Sequence, residues 1–139
     1  MNICIICAPA NKGKTESVKM IDDFFRNNNE YSCMFTNRIT SENDFESIYK
    51  NNKHRIGLIS IGDKVSEIKQ AFNIIKEYSI DYLICTSRTK GETVEYIAAL
   101  SSKVIRIIKP YFVNDNSLSE RINYMFSRFI YDNIFNFFN

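Results

Sequence analysis

Asn2-Ile3-Cys4-Ile5-Ile6-Cys7-Ala8-Pro9-Ala10-Asn11-Lys12-Gly13-Lys14-Thr15 begins as an unbroken apolar run, passes through small and polar residues, and enters a segment of helical periodicity. Residues 2–7 read as a buried strand, because a strand covered on both faces needs no polar alternation. From residue 14 onward the apolar positions Val18, Ile21 and Phe25 fall at i, i+3 and i+7, one face of a helix over residues 14–27. Asn27-Asn28-Asn29 ends it.

Working outward, the same strand-then-helix unit repeats to the end of the chain. Strands are expected over residues 31–36, 55–61, 80–85 and 103–108. Helices are expected over 41–50, with Ser41 as a candidate N-cap, over 64–78 with Val65, Ile68, Phe72 and Ile75 inward, and over 92–101 with Val94, Ile97, Ala98 and Leu100. A last helix over 117–136 opens at Ser117 or Ser119. Alternation of this kind demands crossovers and a parallel sheet. The expected fold is a single α/β domain over residues 1–139, three layers α/β/α around a five-stranded, mainly parallel sheet.

Bulk composition narrows the function classes. The chain has 139 residues, 45% of them hydrophobic, enough for one core. A net charge of +2 is too mild to indicate nucleic acid or an anionic membrane as the main partner. No apolar run approaches the roughly 20 residues needed to span a bilayer, and no basic region precedes the first apolar segment, so a cytoplasmic setting is expected. Cys4 and Cys7 have C-x-x-C spacing, yet both lie inside the first strand; with Cys33 and Cys85 in strand-like runs, all four read as small buried thiols, kept reduced. His54 reads as a surface residue on the side away from the loops of interest.

The loop between the first strand and the first helix carries the chemistry. A strand that ends, a chain that wraps around an anion, and a helix whose unpaired N–H groups face that anion together make a phosphate site. The N–H groups from Ala10 through Asn11, Lys12, Gly13, Lys14, Thr15 and Glu16 are the candidates for binding. Gly13 lets the backbone come close, and Lys14 and Thr15 place an ammonium and a hydroxyl at the start of the helix. Pro9 has no N–H, but it precedes the stretch whose amides point inward.

Ala8-x-x-x-x-Gly13-Lys14-Thr15 resembles the Walker A motif of P-loop NTPases, with alanine in place of the first glycine. The resemblance is tight at the N-terminus and extends to the layered fold, without a subfamily signature. It implies ATP and Mg²⁺ as cofactors, Lys14 as a catalytic residue, and a carboxylate at a strand's carboxyl end that helps Thr15 hold the metal. Asp63, after Gly62, is the candidate, and it resembles a Walker B aspartate. Two roles are open to it: metal ligand, or N-cap of the following helix. The resemblance to the kinase-like and GTPase-like branch further implies that the strand before Asp63 lies next to the P-loop strand. Lys64 stands where motor-type ATPases carry a glutamate.

Thr86-Ser87-Arg88-Thr89-Lys90-Gly91 is expected as a loop at another strand's carboxyl end, where ligands gather in such sheets. Arg88 there is a candidate catalytic residue, stabilising charge in phosphoryl transfer as an internal arginine finger does; Glu92 or Thr93 could touch substrate. The stretch lacks the aspartate of an Asn-Lys-x-Asp guanine element, which leaves ATP as the default.

Two functions follow. One is Mg²⁺-dependent hydrolysis or phosphoryl transfer from a bound nucleoside triphosphate to a second substrate that the sequence does not identify. The other is a non-catalytic nucleotide-sensing or adaptor module that presents its aromatic C-terminal helix to a protein partner or to a second copy in a homodimer. In that helix Ile122, Met125 or Phe126, and Phe129 are read as the core face. A flavodoxin-like domain is a third reading, disfavoured by the Gly13-Lys14-Thr15 triplet.

Overall fold

A computed structural model describes residues 1–38, 44–61 and 64–139. In chain order the elements are β1 (Asn2–Cys7), α1 (Lys14–Arg26), β2 (Ser32–Arg38), β3 (Phe45–Lys50), β4 (Arg55–Ser60), α2 (Val65–Lys76), β5 (Tyr82–Ser87), α3 (Glu92–Ala98), β6 (Lys103–Ile108) and α4 (Asn116–Asn133), closed by a 3₁₀ turn at Asn136–Phe138. The strands form one six-stranded mixed sheet in the order β2-β3-β4-β5-β1-β6. The pairs β4–β5, β5–β1 and β1–β6 are parallel, whereas β2–β3 and β3–β4 are antiparallel.

Two expectations are corrected by this topology. The sheet has six strands among the described residues rather than five and is mixed rather than mainly parallel, because residues 45–50 are a strand antiparallel to both its neighbours and not part of a helix over 41–50. Phe45-Glu46-Ser47-Ile48-Tyr49 sends Phe45 and Tyr49 to one side and Ile48 to the other, a period of two. The hairpin signal was Asn51: its side chain accepts the N–H groups of Lys53 and His54 at 2.8 and 2.7 Å, and its own N–H donates to the His54 carbonyl at 3.0 Å. Ser41 lies outside the described residues. The second correction concerns strand order: β1 pairs with β5 and β6, so β5 separates it from β4, the strand that leads to Asp63.

The core has two halves, one on each face of the sheet. Ile3, Ile5 and Cys7 point to the side covered by α2 (Ile68, Ala71, Phe72, Ile75) and α3 (Val94, Ile97). Cys4 and Ile6 point to the side covered by α1 (Val18, Ile21, Phe25) and α4 (Phe126, Ile130), with Ile134 beyond it. Helices on both faces therefore cover the sheet, and the inward positions expected for α1 are the buried ones. The same alternation separates the C-x-x-C pair: Cys4 and Cys7 are both buried but on opposite faces. Burial pushes the Cys4 thiol up to about 12, so it stays protonated and packs as a small apolar group. Cys33 departs from expectation, exposed on the edge strand β2.

Of the positions expected on the core face of α4, Phe126 is buried as the alternative to Met125, and the rest of the buried face falls one residue further on. Asn123, Phe126, Ser127 and Ile130 are buried, while Met125 and Phe129 are 65% and 49% exposed. The helix starts earlier than the serines suggested, at the N-cap Asp115, whose side chain accepts the Leu118 N–H at 2.9 Å. His54 is half-buried rather than a free surface residue, its ring 4.8 Å from that of Phe135 and 5.2 Å from that of Tyr82.

Glu46 on β3 is a buried carboxyl with incomplete pairing. Its residue is 0% exposed; Oε1 accepts from Asn37 Nδ2 at 3.3 Å and Oε2 has no partner among the described residues. Burial raises its pKa. A carboxyl whose folded pKa exceeds its unfolded value is harmless below the unfolded value and destabilising as pH rises through the folded one. Glu46→Gln should therefore raise the melting temperature near pH 7, and the gain should vanish as pH falls to about 4. Thermal melts of both proteins across that range check it; an unchanged difference at every pH would remove the ionisation argument.

Candidate functional site

Parallel pairing sends the carboxyl ends of β1, β4, β5 and β6 to one edge of the sheet. There β1 is tied on both flanks: the Ala8 N–H donates to the Ser87 carbonyl at 3.2 Å, and the Lys109 N–H donates to the Cys7 carbonyl at 2.9 Å. The chain then leaves the sheet through residues 9–13. Asn11 (φ 60°) and Gly13 (φ 81°) both adopt the left-handed region, which asparagine tolerates and glycine favours. At Gly13 the left-handed backbone disfavours a side chain, and an added Cβ would meet the Asn123 amide, 2.9 Å from Nδ2 and 3.0 Å from Cγ, so that this amide would have to swing aside. The loop thus turns into α1 while α4 presses its Asn123 amide against the turn.

α1 begins without a side-chain cap at Gly13. Its intrahelical ladder starts with the Ser17 N–H donating to the Gly13 carbonyl at 3.0 Å, leaving the preceding N–H groups directed out of the helix. The positive end of the helix dipole lies at the same place. Lys14 folds back over the loop, Nζ donating to the Ala8 carbonyl at 2.7 Å. Thr15 Oγ1 accepts a hydrogen bond from Ser60 Oγ at 3.2 Å, which joins the start of α1 to the end of β4. Two hydroxyl oxygens side by side at a strand end are hard donors of the kind Mg²⁺ accepts, and among the described residues no cluster of carboxylate, histidine or cysteine groups accompanies them.

A cavity of about 550 Å³ opens beside the loop, between the start of α1 and the segment that joins β6 to α4. Asn11, Lys12, Gly13, Lys14, Thr15 and Glu16 form one wall. Lys109, Tyr111, Phe112 and Asn114 lead a second, and Asn123 reaches in from α4. The Lys12 ammonium lies 5.1 Å from the centre of the Tyr111 ring, a cation–π contact. Lys109 is 1% exposed, with Nζ donating to the Pro110 carbonyl at 3.0 Å. Burial lowers its pKa, against the opposing effect of the Glu16 carboxylate. Among the described residues three lysines and two carboxylates line the cavity, and one of the carboxylates, Asp115, is engaged in capping α4.

Of the residues expected at the site, Asn11 to Glu16 come together at the cavity wall, while Ala10 is exposed and is not among the lining residues. Asp63 lies outside the described residues, and the N-cap position of α2 falls on Lys64. Thr86 and Ser87 belong to β5 rather than to a loop, and both are buried. Arg88 follows them, exposed, at the carboxyl end of the strand next to β1, and it is not among the described residues lining the cavity. Thr93 is buried, its hydroxyl 3.1 Å from that of Ser87, where it closes the β5–α3 connection. Lys109, Tyr111 and Asn123 went unnoticed in the sequence. Lys109 could have been found by the rule that singled out Asp63 and Arg88, since it too follows a strand's carboxyl end. Asn123 sits inside an amphipathic helix and gives no such signal.

No family model matches the chain, and comparison with curated proteins and with solved structures returns no significant match. Chemically, the arrangement offers main-chain donors, a helix N-terminus and lysine ammonium groups around a space of ligand size, which is what a polyanion requires. The Gly13–Asn123 contact is the most exacting part of it. Gly13→Ala should destabilise the fold by about 2 kcal/mol through its left-handed backbone alone. Adding Asn123→Ala should recover the steric part but not the backbone part. Denaturant melts of the two variants measure this; a Gly13→Ala protein as stable as wild type would mean the turn is not held as described.

Proposed function

We propose that this chain binds the triphosphate of a nucleotide, ATP by default, on the β1–α1 loop and acts on it by Mg²⁺-dependent hydrolysis or phosphoryl transfer. The observation that carries the reading is the loop itself: an uncapped start of α1, Lys14 folded back to the Ala8 carbonyl, and an adjoining cavity of about 550 Å³, within the usual size range of small-molecule sites. The P-loop NTPase resemblance of Ala8 to Thr15 supports the same ligand. In this reading the amides of residues 11–16 surround the phosphates, and Lys14 exchanges a carbonyl partner for phosphate oxygens, a stronger charge-assisted bond. Thr15 and Asp63 would hold Mg²⁺, which when bound neutralises charge on the phosphate oxygens. Arg88 would approach the transferred group from the end of β5.

A second reading keeps the binding and drops the turnover. It is favoured by the outer face of α4, where Leu118, Met125 and Phe129 are exposed along one side of the helix. Here the nucleotide state would be reported to a protein partner or a second copy rather than consumed.

Calorimetry with ATP, GTP and their diphosphates, with and without Mg²⁺, tests the shared step. Wild type should bind a triphosphate, and Lys14→Ala should weaken that binding by about tenfold or more. No heat from any nucleotide sinks both readings. Phosphate release that depends on Lys14 then selects the enzyme; saturable binding without release selects the sensor.

A further inference from the structure

Lys109 is the most deeply buried cation among the described residues, 1% exposed. It ends the edge of β6 where the main chain is pinned to β1, its N–H bonded to the Cys7 carbonyl at 2.9 Å. Its side chain is almost wholly buried, yet it lines the cavity shared with the β1–α1 loop. An ammonium has three donors; among the described residues only the carbonyl of its own neighbour, Pro110, accepts from it, at 3.0 Å. Among the described residues the other charged groups around the same cavity are Lys12 from the loop, Lys14 and Glu16 from the first turn of α1, and Asp115 at the cap of α4. Asp115 is occupied by the Leu118 N–H, and no hydrogen bond joins Glu16 to Lys109.

Burying an ammonium with so few partners is unfavourable, and an apolar side chain of the same length would suit the surroundings better. The group makes sense if an anion in the cavity completes its hydrogen bonding. We infer that Lys109 is a phosphate-binding residue, gripping the ligand's polyphosphate from the β6 side while Lys14 and the α1 amides grip it from the other. The assignment rests on the nucleotide-binding reading and extends it: two strand ends, β1 and β6, supply cations to one anion.

The test compares wild type, Lys14→Ala and Lys109→Met by calorimetry with Mg-ATP and with inorganic tripolyphosphate, alongside thermal melts without ligand. Lys109→Met should melt at or above the wild-type temperature, because a buried charge is gone. It should also bind both ligands roughly ten- to a hundredfold more weakly. If it binds both as wild type does while Lys14→Ala is impaired, Lys109 is not a ligand contact and the nucleotide reading stands without it. Weakened binding of ATP alone, with tripolyphosphate unaffected, would overturn the phosphate assignment. So would a markedly lowered melting temperature, which would mark the lysine as structural. If wild type binds neither ligand, the underlying reading fails and the inference with it.

Discussion

Strand β1 hydrogen-bonds in parallel to β5 on one flank and to β6 on the other, and the bonds continue past its last residue through Ala8 to Ser87 and through Cys7 to Lys109. A strand fixed on both sides cannot shift its register without turning its core-facing side chains to the wrong layer. Ile3, Ile5 and Cys7 are committed to one core, Cys4 and Ile6 to the other. The point at which the chain leaves the sheet is therefore set to within a residue, and with it the position of the loop, of Lys14 and of the start of α1. The cavity beside the loop exists because β6, the outer neighbour of β1, ends level with it and sends its connection across to α4.

How much of this could be read beforehand depended on where local pattern and tertiary context agree. The unbroken apolar run of β1 and the i, i+3, i+7 spacing of α1 are strong local signals, and both elements stand where they were expected. The segment 45–50 failed because its type is decided by neighbours: Phe45-Glu46-Ser47-Ile48-Tyr49 fits either period over so short a window, and pairing with β2 and β4 selects the strand. The face of α4 was legible only in part, for a related reason. Aromatic residues occur around the whole helix, so apolar content alone does not orient it, and small polar residues, Asn123 and Ser127, occupy the inward face. Strand order was legible only as a guess, since nothing in a single sequence says that β5 comes between β4 and β1.

Polar residues in the core serve the site indirectly. Asp22, about two turns along α1, is buried and accepts from Tyr49 Oη at 2.6 Å and from Arg26 at 2.9 Å. Phe25, on the same helix, packs against Tyr31, Tyr49 and Tyr131 with ring centres 4.8–5.5 Å apart. These contacts fix the rotation of α1 about its axis, because removing a partner from a buried charge or a ring from a filled core is far more costly than a surface change. A helix so fixed presents its first-turn amides in one direction.

α1 is fixed above all to α4. Ser127 Oγ donates to the Ser17 carbonyl at 3.1 Å, and one turn earlier the Asn123 amide rests on Gly13. The second contact is with the loop itself, so α4 touches the very residue whose left-handed backbone disfavours a side chain. The opposite face of α4 bears Met125 and Phe129, exposed to solvent. Because packed helices move as stiff bodies rather than deforming residue by residue, a ligand that shifted the loop at Gly13 would have to displace Asn123 or carry α4 with it. The distance from the loop to the outer apolar face is the thickness of one helix, about 10 Å. That contact gives the fold a physical connection between the loop and the exposed apolar face that Met125 and Phe129 form on α4.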